Sequence, residues 1–181
     1  MLKIQNSLTA SLFGLCLLTS ACGRDTQDPG PGPGPDPTPN KCGSCASYEV
    51  CSTATGTCGI NPSSTWVLGV DSARIASTKS NGDAWDAFGG APDPFVMIDG
   101  RQTSTQQDTF TPVWREGATY TAATLTGPGV SLTVYDEDVS ANDVIGGPST
   151  VRFTEADLRR GTLTISNLGR VQSLLLTVAP R

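Results

Sequence analysis

Residues 130–138 read VSLTVYDED. Val130, Leu132 and Val134 alternate with polar residues, so one face of the segment is apolar and the other wet, the pattern of a half-buried strand. The strand runs into three consecutive acids, Asp136, Glu137 and Asp138, and Asp143 lies a short loop further on. The same organisation occurs upstream. Residues 66–75, WVLGVDSARI, form a strand candidate, and Asp83, Asp86 and Asp93 fill the loop before the next candidate, PFVMIDG at 94–100.

Gly, Pro, Asn and Asp separate the remaining runs. Strands are expected at 66–75, 94–100, 101–107, 118–125, 130–138, 149–153, 162–166 and 173–179. Leu174, Leu176 and Val178 repeat the alternation near the end of the chain. TEADLRRG at 154–161 predicts one helical turn with Thr154 as its cap and Asp157 in its first turn. The fold class expected is all-β, an eight-stranded antiparallel sandwich over 65–181.

Composition excludes several function classes. The chain has 181 residues, 12 Lys+Arg against 17 Asp+Glu, and no His, for a net charge of −5. That balance argues against a basic nucleic-acid binder. Without His there are no His-based triads, His metal ligands or His proton relays. No G-x-S-x-G and no phosphate loop is present. Paired carboxylates could hydrolyse glycosides, but here the acids crowd at loops and no aromatic cleft is evident. A non-enzymatic protein is expected.

In an up-and-down sandwich the loop after the first strand and the loop after the fifth leave the same end. The two acidic loops are therefore expected to converge. Carboxylates brought close repel and raise one another's pKa values, which costs stability unless a cation sits among them. Oxygen ligands on flexible loops suit Ca2+ rather than Zn2+.

Several segments together resemble a C2 domain. They are Asp86-Ala-Phe-Gly-Gly-Ala-Pro-Asp93-Pro-Phe-Val, Thr103-Ser-Thr, Thr109-Phe-Thr-Pro-Val-Trp114, Val134-Tyr-Asp136-Glu-Asp138 and Asn142-Asp143-Val-Ile-Gly146. Their order and spacing match over nearly all of 65–181. One strand precedes the first acidic loop and three follow the last, which resembles the phospholipase C-like strand order. The resemblance implies a Ca2+-dependent membrane-docking sandwich with Asp93, Asp136, Asp138 and Asp143 as metal ligands. Asp86 matches the first-loop acid, one residue farther from Asp93 than is common, and Asp83 is a further candidate. The third loop is one residue shorter than usual between Asp138 and Asp143, and two ions are expected. Trp114 is expected in the core. Phe88 and Val139 are placed for an apolar membrane tip, with Phe88 folded back on the sandwich as the other possibility. Thr103-Ser-Thr and Gln106-Gln107 stand where basic residues often read acidic headgroups, and Lys79 and Arg101 read as isolated. Long-range attraction to anionic lipid is therefore expected to be weak. The expected partner is a phospholipid membrane or an envelope protein or glycan. The alternative is a calcium-stabilised adhesion or scaffold domain that binds without lipid insertion.

The N-terminal third carries all six Cys. Lys3, an apolar run from Leu8 to Leu18 and Leu18-Thr-Ser-Ala-Cys22 resemble a bacterial lipoprotein signal over 1–21. Cys22 is then the lipidated mature N-terminus, anchored to its own membrane by acyl chains. No Asp follows it, and the expected location is the bacterial cell envelope at the outer membrane, on its periplasmic or surface face. Residues 22–40 alternate Pro and Gly and are expected to form an extended tether. Cys42, Cys45, Cys51 and Cys58 form a cluster within 41–60. In an exported chain an even number of Cys predicts two disulfides, with three pairings open. A four-Cys zinc site is the rival, disfavoured by the wide second spacing and by export.

Overall fold

The computed structural model describes residues 42–86 and 90–181. The signal segment, Cys22, the tether and Phe88 lie outside the described residues.

The first described element is a small hairpin, β1 (Glu49–Ser52) paired antiparallel with β2 (Thr57–Ile60). Disulfides Cys42–Cys51 and Cys45–Cys58 close it, which resolves the pairing and removes the thiolates a zinc site would need. The hairpin belongs to the same compact unit as the strands that follow. Ile60 is buried in the core, and Tyr48 meets Trp66 edge-on with ring centroids 5.2 Å apart.

Eight further strands form two four-stranded antiparallel sheets. They are β3 (Thr65–Ile75), β4 (Pro94–Ile98), β5 (Arg101–Gln102), β6 (Val113–Thr121), β7 (Val130–Asp136), β8 (Asp143–Val151), β9 (Thr162–Leu168) and β10 (Val171–Pro180). One sheet has the order β6-β3-β10-β9 and the other β5-β4-β7-β8. The alternating residues read from the sequence face inward. Val130, Leu132 and Val134 of β7 and Leu174, Leu176 and Val178 of β10 are all buried between the sheets. Trp114 is buried as expected. One sandwich strand precedes the first acidic loop and three follow the last, as the sequence predicts.

Strand boundaries differ from the sequence reading, and four of the differences are instructive. The strand expected at 101–107 pairs only over Arg101–Gln102. Beyond it, Thr103 Oγ1 accepts the Val96 N–H at 2.9 Å, so a side chain takes the place of the ladder bond. The strand expected at 118–125 starts at Val113 and ends at Thr121. There Thr121 caps α1 (Ala122–Thr126), whose buried residues Ala122 and Leu125 are three apart, a helical rather than an alternating spacing. The strand expected at 130–138 stops at Asp136, leaving Glu137 and Asp138 in the loop. The strand expected at 149–153 begins at Asp143, and its Gly-Gly-Pro run pairs with β7 through register irregularities instead of breaking the strand.

The turn at 154–161 is α2 (Glu155–Arg160). Thr154 and Asp157 form a capping box, and Gly161 ends the helix in the left-handed region. Among the described residues no helix is long and apolar enough to cross a membrane.

The ends of the sandwich are distinct. The Arg181 N–H donates to the Thr65 carbonyl at 2.9 Å, so the first and last sandwich strands meet beside the Cys-rich hairpin. The loops after Ile75, Gln102 and Asp136 leave from the opposite end, where the acids sit.

Candidate metal centre

Asp136 is the last residue of β7 and pairs across the sheet with Pro94 of β4 and Asp143 of β8. Flanked on both sides, it is fully buried. Its Oδ1 accepts the Asp93 N–H at 2.7 Å, and its Oδ2 has no partner. A buried carboxylate oxygen without a donor is costly unless another group satisfies it. Carboxylate oxygens of Asp86, Asp136 and Asp138 all lie within 4.8 Å of one another. Acids from the loop after β3 and the loop after β7 thus meet, as their spacing along the chain predicts.

Desolvation is the main cause that pushes the Asp136 carboxyl up to about 6, with the neighbouring Asp138 and Asp86 charges adding to it. Desolvation also raises Asp86, and the Asp93 charge raises it further. The donor set is entirely oxygen, its charges repel, and one oxygen is buried and unpartnered. These residues fit a hard divalent cation such as Ca2+.

The other candidates occupy different settings. Asp93 joins Asp136 through its backbone, while its own Oδ1 accepts the Asp108 N–H at 2.5 Å. Asp108 Oδ1 in turn accepts the Ala91 N–H at 2.9 Å, which draws the 103–112 loop into the same end of the sandwich. Asp83 is exposed, and its Oδ2 accepts from Asn81 Nδ2 at 2.6 Å. Asp143 faces Asp136 in register, yet its Oδ2 forms an ion pair with Lys79 Nζ. Val139 is fully exposed in the loop after Asp138, and Val144 is half exposed nearby in β8.

Lys79 corrects the sequence reading of an isolated cation. Trp85 is buried, and its Nε1–H donates to the Ala76 carbonyl at 2.8 Å, pinning the first loop. Lys79 Nζ lies 5.8 Å from the centroid of that indole ring. A short turn holds its backbone, with the Lys79 N–H donating to the Asp83 carbonyl at 2.8 Å. Lys79, Asp83, Trp85 and Asp143 line an open cleft of about 470 Å³ with Val144 and Arg170. Arg170 braces its wall by donating from Nε to the Thr78 carbonyl at 2.7 Å. Sequence reasoning missed the roles of Lys79 and Asp108. The signal for Lys79 was its position as the one cation in a loop of three acids.

The sequence profile of the C2 domain matches residues 69–166. No curated protein matches the chain. Among solved structures, a tandem pair of C2 domains from extended synaptotagmin 2 is similar at 17% identity and a TM-score of 0.49, covering 66% of this chain and 42% of that one. A single C2 domain of plant extended synaptotagmin 1 is similar at 18% identity and a TM-score of 0.48, covering 67% of this chain and 96% of that one. Human GIVD cytosolic phospholipase A2 is similar at 21% identity and a TM-score of 0.47, covering 65% of this chain and 17% of that one. The chain thus spans less than half of the extended synaptotagmin 2 chain and a small part of the phospholipase.

Proposed function

This chain belongs to the C2 domain family, and on that premise we propose that it is an envelope-anchored, Ca2+-dependent module that docks to phospholipid membrane through its acidic loops. C2 domains are binding modules that commonly take Ca2+ and phospholipid. The observation that carries the reading here is the buried, donor-less Oδ2 of Asp136, on a residue whose carboxylate gathers with those of Asp86 and Asp138.

Asp86, Asp136 and Asp138 would hold the ion. Asp93 orients Asp136 through its backbone N–H and adds negative charge beside Asp86. Held there, a divalent ion would supply the positive charge that attracts a lipid phosphate to the loops. Val139, fully exposed at the tip, inserts into the lipid, with burial of such a side chain contributing about 1.5–3 kcal/mol. Phe88 is proposed as its apolar companion in the first loop. Cys22 is proposed as the lipidated residue, and the Pro/Gly segment at 22–40 as the tether that links it to the rest of the chain. The proposed location is the outer membrane of a bacterial envelope.

One feature favours the second reading, a calcium-stabilised adhesion or scaffold domain for protein or glycan. On the edge where β5 and β6 lie near one another, the Glu116 carboxylate accepts from the Ser104 N–H and hydroxyl, so an acid stands where a headgroup-reading face would need cations.

Co-sedimentation of the chain carrying Cys22→Ser with phosphatidylserine or phosphatidylcholine vesicles, with Ca2+ and with chelator, tests the proposal. Pelleting that requires Ca2+ and falls in Val139→Asp supports membrane docking. A Ca2+-dependent rise in melting temperature without pelleting on either vesicle transfers the case to the scaffold reading. No response to Ca2+ in either assay overturns both.

A further inference from the structure

Asp143 presents a conflict that the fold does not require. It stands directly across from Asp136 in the β7–β8 ladder, where paired residues have Cα atoms about 4.5–5.5 Å apart. Its carboxylate nevertheless lies outside the Asp86–Asp136–Asp138 group and is bound to Lys79. The lysine is not there by chance of a long side chain. Its backbone is fixed in the Lys79–Asp83 turn, where the Gly82 N–H also donates to the Lys79 carbonyl at 3.1 Å. Its ammonium is close to the buried Trp85 ring, and Trp85 is itself anchored to Ala76. From that seat the charge also reaches Asp138 and Asp136.

The carboxylate oxygens of the trio lie within 4.8 Å of one another and can serve one divalent ion. Asp143 is the neighbouring acid on the ladder from which a second ion could draw a ligand, and its carboxylate is taken by an amine that is part of the chain. A like charge also stands in the way, because the ammonium would repel an incoming ion at contact range.

We propose that Lys79 is a built-in second cation of the acidic loops: by holding Asp143 it limits the site to a single divalent ion. The inference rests on the proposed Ca2+ site and deepens it, replacing the two ions that the family resemblance implies with one. Asp143 then serves the lysine, and the ion is held without it. The exposed ion pair sits where dissolved salt can weaken it, so the limit is expected to be strongest at low ionic strength.

Native mass spectrometry and calorimetry of the purified chain with Ca2+ count the ions directly. The parent chain is expected to take one, Lys79→Gln two, and Lys79→Arg one, since arginine keeps the charge. Asp143→Asn is expected to keep the single ion with affinity changed less than threefold. Combined with Lys79→Gln, Asp143→Asn is expected to abolish the second ion. If the parent chain takes two ions, or Lys79→Gln takes the same number as the parent, Lys79 does not set the count and the inference fails while the Ca2+ site stands. Loss of all binding in Asp143→Asn makes Asp143 a ligand of the single ion and also overturns the inference. No binding by the parent chain removes the Ca2+ site itself. Circular dichroism of each variant checks that the sandwich is intact, and a misfolded Lys79→Gln leaves the Asp143→Asn result to decide.

Discussion

The backbone N–H of Asp93 donates to Oδ1 of Asp136 at 2.7 Å, and that bond leaves Oδ2 of Asp136 as the buried oxygen without a donor. The two residues belong to β4's entry and β7's exit, which pair in register through Pro94 and Asp136. Sheet pairing therefore fixes which oxygen of this carboxylate is left over, on a residue whose carboxylate gathers with those of Asp86 and Asp138.

Burial raises the Asp136 carboxyl to about 6, above its ordinary value of 3.8. A raised folded-state pKa means that the stabilising contribution is fully present below the ordinary aspartate range and is lost as pH rises through about 6. A shift of roughly two units is on the order of 3 kcal/mol lost by neutral pH in metal-free protein. Asp136→Asn removes that titration. In chelator, urea unfolding is expected to show the Asn variant more stable than the parent at pH 7.5, with the gap closing towards pH 4. A gap of equal size at both pH values rules out this origin of the instability.

Convergence of the acidic loops was legible because the acids follow strand ends, and strand ends are where period-two alternation stops. That basis brings Asp83, Asp86, Asp93, Asp136, Glu137, Asp138 and Asp143 to one end together, and the trio of Asp86, Asp136 and Asp138 is what the structure selects from them. The direction of each carboxylate could not. Asp143 turns to Lys79 because Trp85 seats the lysine, a contact between distant parts of the chain that leaves no mark in local periodicity. The misread elements have the same character. Residues 118–125 read as a strand until Thr121 caps a helical turn, and Gly146-Gly147-Pro148 resembles a break until β7 pairs across it.

Gly146 explains why β8 tolerates such a sequence. A Cβ at this position would lie 2.2 Å from the Leu168 carbonyl oxygen and 3.0 Å from Val171 Cγ2. The nearer of these is backbone, which has no flexible side chain to yield. Gly146→Ala is expected to destabilise by about 1–3 kcal/mol or more, the usual cost of overpacking. Gly59, in the disulfide hairpin, has no atom within 4 Å of the corresponding position. Gly59→Ala is expected to be neutral or mildly stabilising. Denaturant midpoints of the two variants, measured side by side, check the contrast, and equal effects would contradict it.

Helix α2 makes its own pH-linked prediction. Thr154 Oγ1 accepts the Asp157 N–H at 3.1 Å, and Asp157 Oδ2 accepts the Thr154 N–H at 2.9 Å. The Thr154 side chain is the main cause that holds the Asp157 carboxyl below its ordinary range. A lowered folded-state pKa contributes stability above the ordinary aspartate range that is lost as pH falls through the depressed value. Thr154→Ala is expected to cost about 1 kcal/mol at pH 7 and less in strong acid. Thermal melts at pH 7 and pH 2.5 give the comparison, and a cost that grows with acid would contradict the assignment.

The hairpin at the other end is held by two kinds of contact that mutation can separate. Disulfides Cys42–Cys51 and Cys45–Cys58 close its own loops, and the Asn61 N–H donating to the Tyr48 carbonyl at 2.9 Å extends its own ladder, while the Tyr48 ring against Trp66 docks it on the sandwich. The Arg159–Glu49 ion pair also crosses this junction, with the Glu49 side chain mostly covered and Arg159 exposed. Hydrogen exchange of the β1–β2 amides reads the integrity of the hairpin, and exchange of the β3 amides near Trp66 reads its docking. Tyr48→Ala is expected to leave β1–β2 protection largely intact while raising exchange at the start of β3, because an edge-on aromatic pair contributes about 0.5–1.5 kcal/mol beyond its buried area. Reduction of the disulfides is expected to do the reverse in order, releasing β1–β2 first, since a two-stranded hairpin is marginal without staples. If Tyr48→Ala and disulfide reduction produce the same exchange pattern, the hairpin and its docking form one cooperative step, and the ring contact is not a separable dock.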